Sequence, residues 1–154
     1  MKIELLESLL TGHSGIDGEH RQIVDAINKV SKVIEDGEFE KCPDLLDDFL
    51  KICAAHFKSE EKILAKLGYP DLQEHIVFHR ELTLKAKAVR VLCMDCHDPQ
   101  SIRRCFDEMS ALLIEDVVKG DMAFVSFLID KGVAKSRLHI SFFEKPNFPA
   151  DKIA

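Results

Sequence analysis

Apolar residues recur along this chain at steps of three and four, the period of one face of an α-helix. Ile23, Ile27, Val30 and Ile34 mark the first face, in a segment predicted to open at Ile16-Asp17 and close at Asp36-Gly37. A second segment carries Pro43 in its first turn, stops before Gly68, and turns Leu45, Leu46, Phe49, Ile52, Cys53, His56, Phe57, Ile63 and Leu64 inward. Pro70 and Asp71 open a third, with Leu72, His75, Ile76, His79, Leu82 and Val89 leading toward Leu92. Asp98-Pro99 starts a fourth, apolar from Ile102 through Phe106, Met109, Leu112 and Leu113 into Val117. It is interrupted near Lys119-Gly120, and a further apolar stretch runs from Met122 to Ile129 before Gly132. Proline is favoured in a helix's first turn and glycine just past its end, so these boundaries have a physical basis.

Four amphipathic helices joined by short connections predict an all-α, up-down-up-down four-helix bundle with a short N-terminal arm. The bundle is expected to span 1–132. Residues 133–154 form a C-terminal extension whose Ile140, Phe142, Phe143 and Phe148 are too apolar for a plain linker. That extension is expected to pack on the bundle, on a second copy or on a protein partner.

Composition narrows the class. The 154 residues hold one domain's worth of core, and the net charge of −6 argues against a nucleic-acid partner, which would need a basic patch. No apolar run approaches the roughly 18–20 residues of a membrane span, so no membrane association is expected. Glu4 and Glu7 interrupt the N-terminal stretch where a signal peptide would be apolar. Five cysteines in a chain of long periodic segments suggest mostly free thiols and a cytoplasmic setting.

The histidines carry the chemistry. His56 and Glu60 are four residues apart, as are His75 and His79, and a four-residue step returns to the same helix face. Both pairs share a face with the apolar stripe, so they point into the bundle. A lone inward histidine is ordinarily a hydrogen-bonded core residue. Two such pairs on adjacent helices, with His20 and fourth-helix carboxylates to close the cage, point to a dinuclear metal site of iron, manganese or zinc.

The stretches Gly15-Ile16-Asp17-Gly18-Glu19-His20, His56-Phe57-Lys58-Ser59-Glu60-Glu61, Gly68-Tyr69-Pro70 and His75-xxx-His79 resemble the hemerythrin family over roughly residues 12 to 130. That resemblance implies a four-helix bundle with a non-haem di-iron site that binds O2 reversibly, with sensing and storage variants in bacteria. It further implies that His20 and His56 serve one metal, His75 and His79 the other, and that Glu60 and Asp121 bridge the two. The family's last motif is HxxxxD, and here it reads Asp116-Val117-Val118-Lys119-Gly120-Asp121, with Asp116 in the histidine's place.

Five residues subtend about 500° on a regular helix, which would not align Asp116 with Asp121. The weak helix former Gly120 offers a way to loosen that turn. Three roles are open to Asp116: a carboxylate ligand, a side chain that falls short and leaves an open position, or the mark of a site that has lost its metal. Glu115 is a neighbour about 100° away. A carboxylate there favours the ferric state and admits manganese or a mixed pair.

The remaining motifs are weaker. Cys93-Met94-Asp95-Cys96-His97 matches the CxxCH pattern of covalent haem, which the lack of an export signal argues against. A redox-active or metal-binding thiol pair of Cys93 and Cys96, with Cys105 as a further member, is the other reading, and incidental loop thiols the plainest. Phe49, Phe57, Phe78 and Phe106 are read mainly as core, and Asp44, Asp47 and Asp48 as a solvated first turn. The chain therefore reads as a two-iron protein that binds, stores or senses O2 or a small oxidant, rather than an enzyme. A di-iron or mixed-metal oxidase or peroxidase is the first alternative, and a metal-poor interaction module the second.

Overall fold

The computed structural model describes residues 2–94 and 98–135. Four long helices make up the body: α1 (Ser14–Asp36), α2 (Cys42–Leu67), α3 (Leu72–Met94) and α4 (Pro99–Glu115). α4 continues through a π-helical turn, Asp116–Gly120, and a 3-10 turn, Asp121–Phe124, into the short α5 (Val125–Asp130). Contacts run α1–α2, α2–α3, α3–α4 and α4–α1, the closed ring of a four-helix bundle. Among the described residues no helix is long and apolar enough to cross a membrane.

The boundaries follow local chemistry. α1 begins two residues before the expected Ile16, because the His13 ring nitrogen Nδ1 accepts the Ile16 amide and caps the helix. α2 ends at Gly68, whose φ of 75° lets Gly68 and Tyr69 donate back to the Ala65 and Leu64 carbonyls. Pro70 and Asp71 form the turn before α3 rather than its first residues, and α3 runs on to Met94. Asp98 caps α4 by accepting the Gln100 and Ser101 amides.

Two apolar clusters fill the interior. The larger includes Ile23, Ile27, Phe49, Phe106, Met109, Leu113 and Val117. The smaller joins Ile16, Leu64, Phe124 and Leu128. Along α1, α2 and the α4–α5 run, the polar ligand candidates lie between members of the two clusters, as His20 does between Ile16 and Ile23. Ile3, Leu5 and Leu9 of the N-terminal arm pack on the larger cluster, and Ile3 exchanges two hydrogen bonds with Asn28 (2.8 and 2.9 Å).

The expectation of mostly free thiols is corrected. Cys93 and Cys105 form a disulfide that ties the last turn of α3 to α4, with Cα atoms 5.9 Å apart. Helix packing brings these side chains together across a sequence separation of 12. Cys42 and Cys53 form no disulfide, the first buried and the second half-buried. With its sulfur bonded to Cys105, Cys93 is not available to anchor a haem; Cys96 and His97 lie outside the described residues. So do residues 136–154, most of the expected extension. Lys135, the last described residue, donates its amide to the Gly12 carbonyl.

Of the four phenylalanines read as core, Phe49 and Phe106 are buried, whereas Phe57 and Phe78 are half-buried beside the histidines. The acidic first turn of α2 is not wholly solvated, since Asp47 pairs with Arg90 of α3.

Candidate metal centre

Seven side chains converge between the two clusters: His20 from α1, His56 and Glu60 from α2, His75 and His79 from α3, and Asp116 and Asp121 from the π turn and its end. All are buried, and His20, Glu60 and Asp121 are inaccessible to solvent. On α2 and α3 the regular four-residue step delivers each pair to one point. On the fourth strand of the bundle a different period operates. The Asp121 amide donates to the Asp116 and Val117 carbonyls, so one turn there holds five residues and returns Asp121 toward the face of Asp116.

Gly120 lies inside this turn, and a side chain there would meet Phe78. A Cβ at residue 120 would stand 2.5 Å from the Phe78 ring and 3.5 Å from His75 Cε1. The glycine thus provides space as well as a weak helical preference.

The donor atoms fall into two overlapping sets. His20, His56, Glu60 and Asp121 offer ligand atoms within 4.8 Å of one another, and so do Glu60, His75, His79 and Asp121. Glu60 and Asp121 belong to both. Glu60 Oε1 lies 2.5 Å from His75 Nε2 and 3.2 Å from His79 Nε2, with Oε2 3.5 Å from His56 Nε2. Asp121 Oδ2 lies 2.8 Å from His20 Nε2, and Oδ1 4.0 Å from His75 Nε2. Asp116 stands outside both sets of four, with Oδ2 3.3 Å from His56 Nε2 and Oδ1 3.7 Å from His79 Nε2. Glu115 turns outward to Lys85 (2.7 Å) and Lys119 (3.5 Å) and takes no part.

Two carboxylates that the sequence reading left unassigned orient the imidazoles. His56 Nδ1 is 2.9 Å from Glu19 Oε2, and His79 Nδ1 is 2.8 Å from Glu61 Oε1. With Nδ1–H donating outward, each ring presents Nε2 to the interior, the arrangement typical of metal-bound histidine. Each of these glutamates adjoins a ligand candidate in sequence. At about 100° from it, each reaches the seam with the neighbouring helix, so adjacency to His20 and Glu60 was the available signal.

Electrostatics set this cluster apart from an ordinary buried polar patch. Burial would depress His56, but the Asp116 hydrogen bond, the charges of Glu60 and Asp116, and the Glu19 hydrogen bond outweigh it and hold the imidazole up to about 9. Burial, then the neighbouring His56, depress His20. Burial, then the charges of Asp116 and Glu60, push Asp121 well above the usual carboxylate range.

His20 Nδ1, His79 Nε2, one oxygen of Glu60 and both oxygens of Asp116 and Asp121 are buried, and the polar groups that approach them most closely are the other members of the cage. A buried polar group left unsatisfied costs about 1–3 kcal/mol, and a cation that engages these carboxylates and imidazoles together removes that cost. Nearby Asp17 shows the contrast: it is buried too, yet it accepts the Thr11 amide and hydroxyl (both 2.8 Å) and the Gly12 amide (3.0 Å). Imidazole and carboxylate donors of this kind suit iron, manganese or zinc.

Comparison with known proteins adds to this geometry. The family model of the hemerythrin HHE cation binding domain matches residues 11–125. A bacteriohemerythrin of Clostridium acetobutylicum is 23% identical over 118 residues, covering 74% of this chain and 92% of that protein. A bacteriohemerythrin of Methylococcus capsulatus is 33% identical over 66 residues, 43% of this chain and 50% of its own. A myohemerythrin of Riftia pachyptila is 28% identical over 83 residues, 54% of this chain and 64% of its own.

Proposed function

The chain belongs to the hemerythrin HHE cation-binding family, and from that premise we propose that it is a non-haem di-iron protein that binds O2 or a related small oxidant for storage or sensing. The observation that carries this reading is the pair of overlapping buried donor sets, which share Glu60 and Asp121 and whose ligand atoms lie within 4.8 Å of one another. In this reading His20 and His56 hold one ion, His75 and His79 the other, and Glu60 and Asp121 bridge them. Asp116 adds a seventh side chain from the π turn. When bound, a ferrous pair supplies the electrons on which reversible O2 binding draws.

The protein's own contribution is orientation and dryness. Glu19 and Glu61 fix the rings of His56 and His79. Phe57 stacks on His79 with ring centroids 4.2 Å apart, and Phe124 meets His75 edge-on at 5.3 Å. A cavity of about 20 Å³, bounded by apolar groups such as Ile23, Phe49, Leu82 and Leu113, adjoins the cage. That is room for about one water-sized molecule. Among the described residues that line it, Cys53 and Asp116 are the ones with a side-chain heteroatom. Burial, with the Asp116 charge, pushes the Cys53 thiol up to about 12, so it stays neutral and inert.

Anaerobic loading with ferrous iron should give two irons per chain. Admitting and then removing O2 should produce a visible absorption change that reverses over repeated cycles. Fewer than one iron per chain would sink the reading in favour of a helical interaction module. An irreversible change with steady consumption of O2 or peroxide and a reductant would support the alternative, an oxidase or peroxidase. The extra carboxylate at Asp116 favours that alternative, because added negative charge stabilises the ferric state.

A further inference from the structure

We propose that Asp116 is a third bridging carboxylate between the two ions, and not a stand-in for a terminal imidazole on one of them. The inference rests on the dinuclear reading above. Each of the three interior carboxylates splits its two oxygens between the same two histidine pairs. Glu60 sends Oε2 toward His56 and Oε1 toward His75 and His79. Asp121 sends Oδ2 toward His20 and Oδ1 toward His75. Asp116 repeats the pattern, with Oδ2 toward His56 (3.3 Å) and Oδ1 toward His79 (3.7 Å). A terminal ligand replacing histidine beside His75 and His79 would turn its oxygens to that pair alone. Instead its nearest imidazole belongs to the opposite pair.

Both Asp116 oxygens are buried and face imidazoles of the cage, whereas Lys119, the nearest basic side chain in sequence, engages the outward-facing Glu115. The five-residue turn sets Asp116 and Asp121 on one face, so this single segment supplies two of the three proposed bridges. Three carboxylates against two divalent ions leave a single net positive charge, which favours oxidised and hard ions over a reversible ferrous pair.

The test is a crystal structure of the full chain loaded with iron and, separately, manganese, with anomalous data at both edges. It is paired with metal titrations of Asp116→Asn and Asp116→His. Bridging requires the two Asp116 oxygens to lie on different ions, each at about 2.0–2.6 Å. Both oxygens on one ion, or neither within about 3 Å of any ion, would overturn the proposal. Asp116→Asn should weaken both ions together, by about tenfold or more. Selective loss of the ion held by His75 and His79 would instead mark a terminal ligand and overturn the bridge. Asp116→His keeps a donor but removes the second oxygen, so it should also weaken the shared link; tightening at the His75/His79 ion alone would count against the proposal. If the unaltered chain takes up no metal, the dinuclear reading itself falls, an outcome distinct from any of these.

Discussion

α2 and the segment after α4 each bring two donors to the cage, and they use different backbone periods. α2 is regular: His56 and Glu60 sit one turn apart, and the same face carries Phe49 before them and Leu64 after them into the core. After Glu115 the chain underwinds through the π turn and then overwinds through the 3-10 turn Asp121–Phe124 before α5 resumes. The regular helix keeps one buried face along its whole length. The distorted segment changes which residues face inward while still returning Phe124 and Leu128 to the interior. The lesson is that a five-residue donor spacing is workable only where the helix gives up its ideal hydrogen bonding, and Gly120 marks that place.

The comparison can be broken most sharply on its regular side. Glu60 contributes an oxygen to both histidine pairs, so Glu60→Ala should abolish metal uptake, from two ions per chain to well under one by elemental analysis. Full retention of both ions would show that the α4 segment alone suffices to bridge. A smaller effect is expected at Gly120. An added methyl there meets the Phe78 ring, and overpacking of this sort costs about 1–3 kcal/mol. Gly120→Ala should therefore lower the melting temperature by several degrees, and Phe78→Leu should recover part of the loss. On α2 the corresponding change, Ser59→Ala beside Glu60, should stay within about 0.5 kcal/mol. Equal effects at the two sites would remove the distinction between the segments.

The smallest effect is in proton balance. The His56 imidazole, held up to about 9 in the metal-free cage, is protonated at pH 7 and must lose that proton to coordinate through Nε2. Raised above its unfolded value, this group binds metal more readily as pH rises toward 9. Loading at pH 7 should release at least one proton per chain, from His56 and from the raised Asp121, measurable in a weakly buffered titration. Loading with no proton release would show that neither His56 nor Asp121 carries a proton before metal enters.

The regular side was legible because its period is that of an ideal helix: His56, Glu60, His75 and His79 follow from four-residue steps alone. Asp121 emerged only through the family motif, since a regular helix would have turned it away from Asp116. The weak helical preference of Gly120 hinted at the irregularity but not at its form, which depends on Phe78 packing from another helix. Glu19 and Glu61 escaped notice because each lies one residue from a ligand and acts across a helix seam. The Cys93–Cys105 bond was not readable, because spacing among five cysteines does not determine pairing. Nor was the start of α1, where a histidine does the capping usually left to serine, threonine, aspartate or asparagine.

That disulfide also decides how the chain withstands a cut. Cys93 and Cys105 enclose the whole connection between α3 and α4. A protease that nicks the backbone anywhere between them leaves both fragments covalently joined. The fragment bearing His20, His56, Glu60, His75 and His79 would stay attached to the one bearing Asp116 and Asp121 until a reductant releases it. The two halves of the cage thus remain a single molecule even when the polypeptide is no longer continuous.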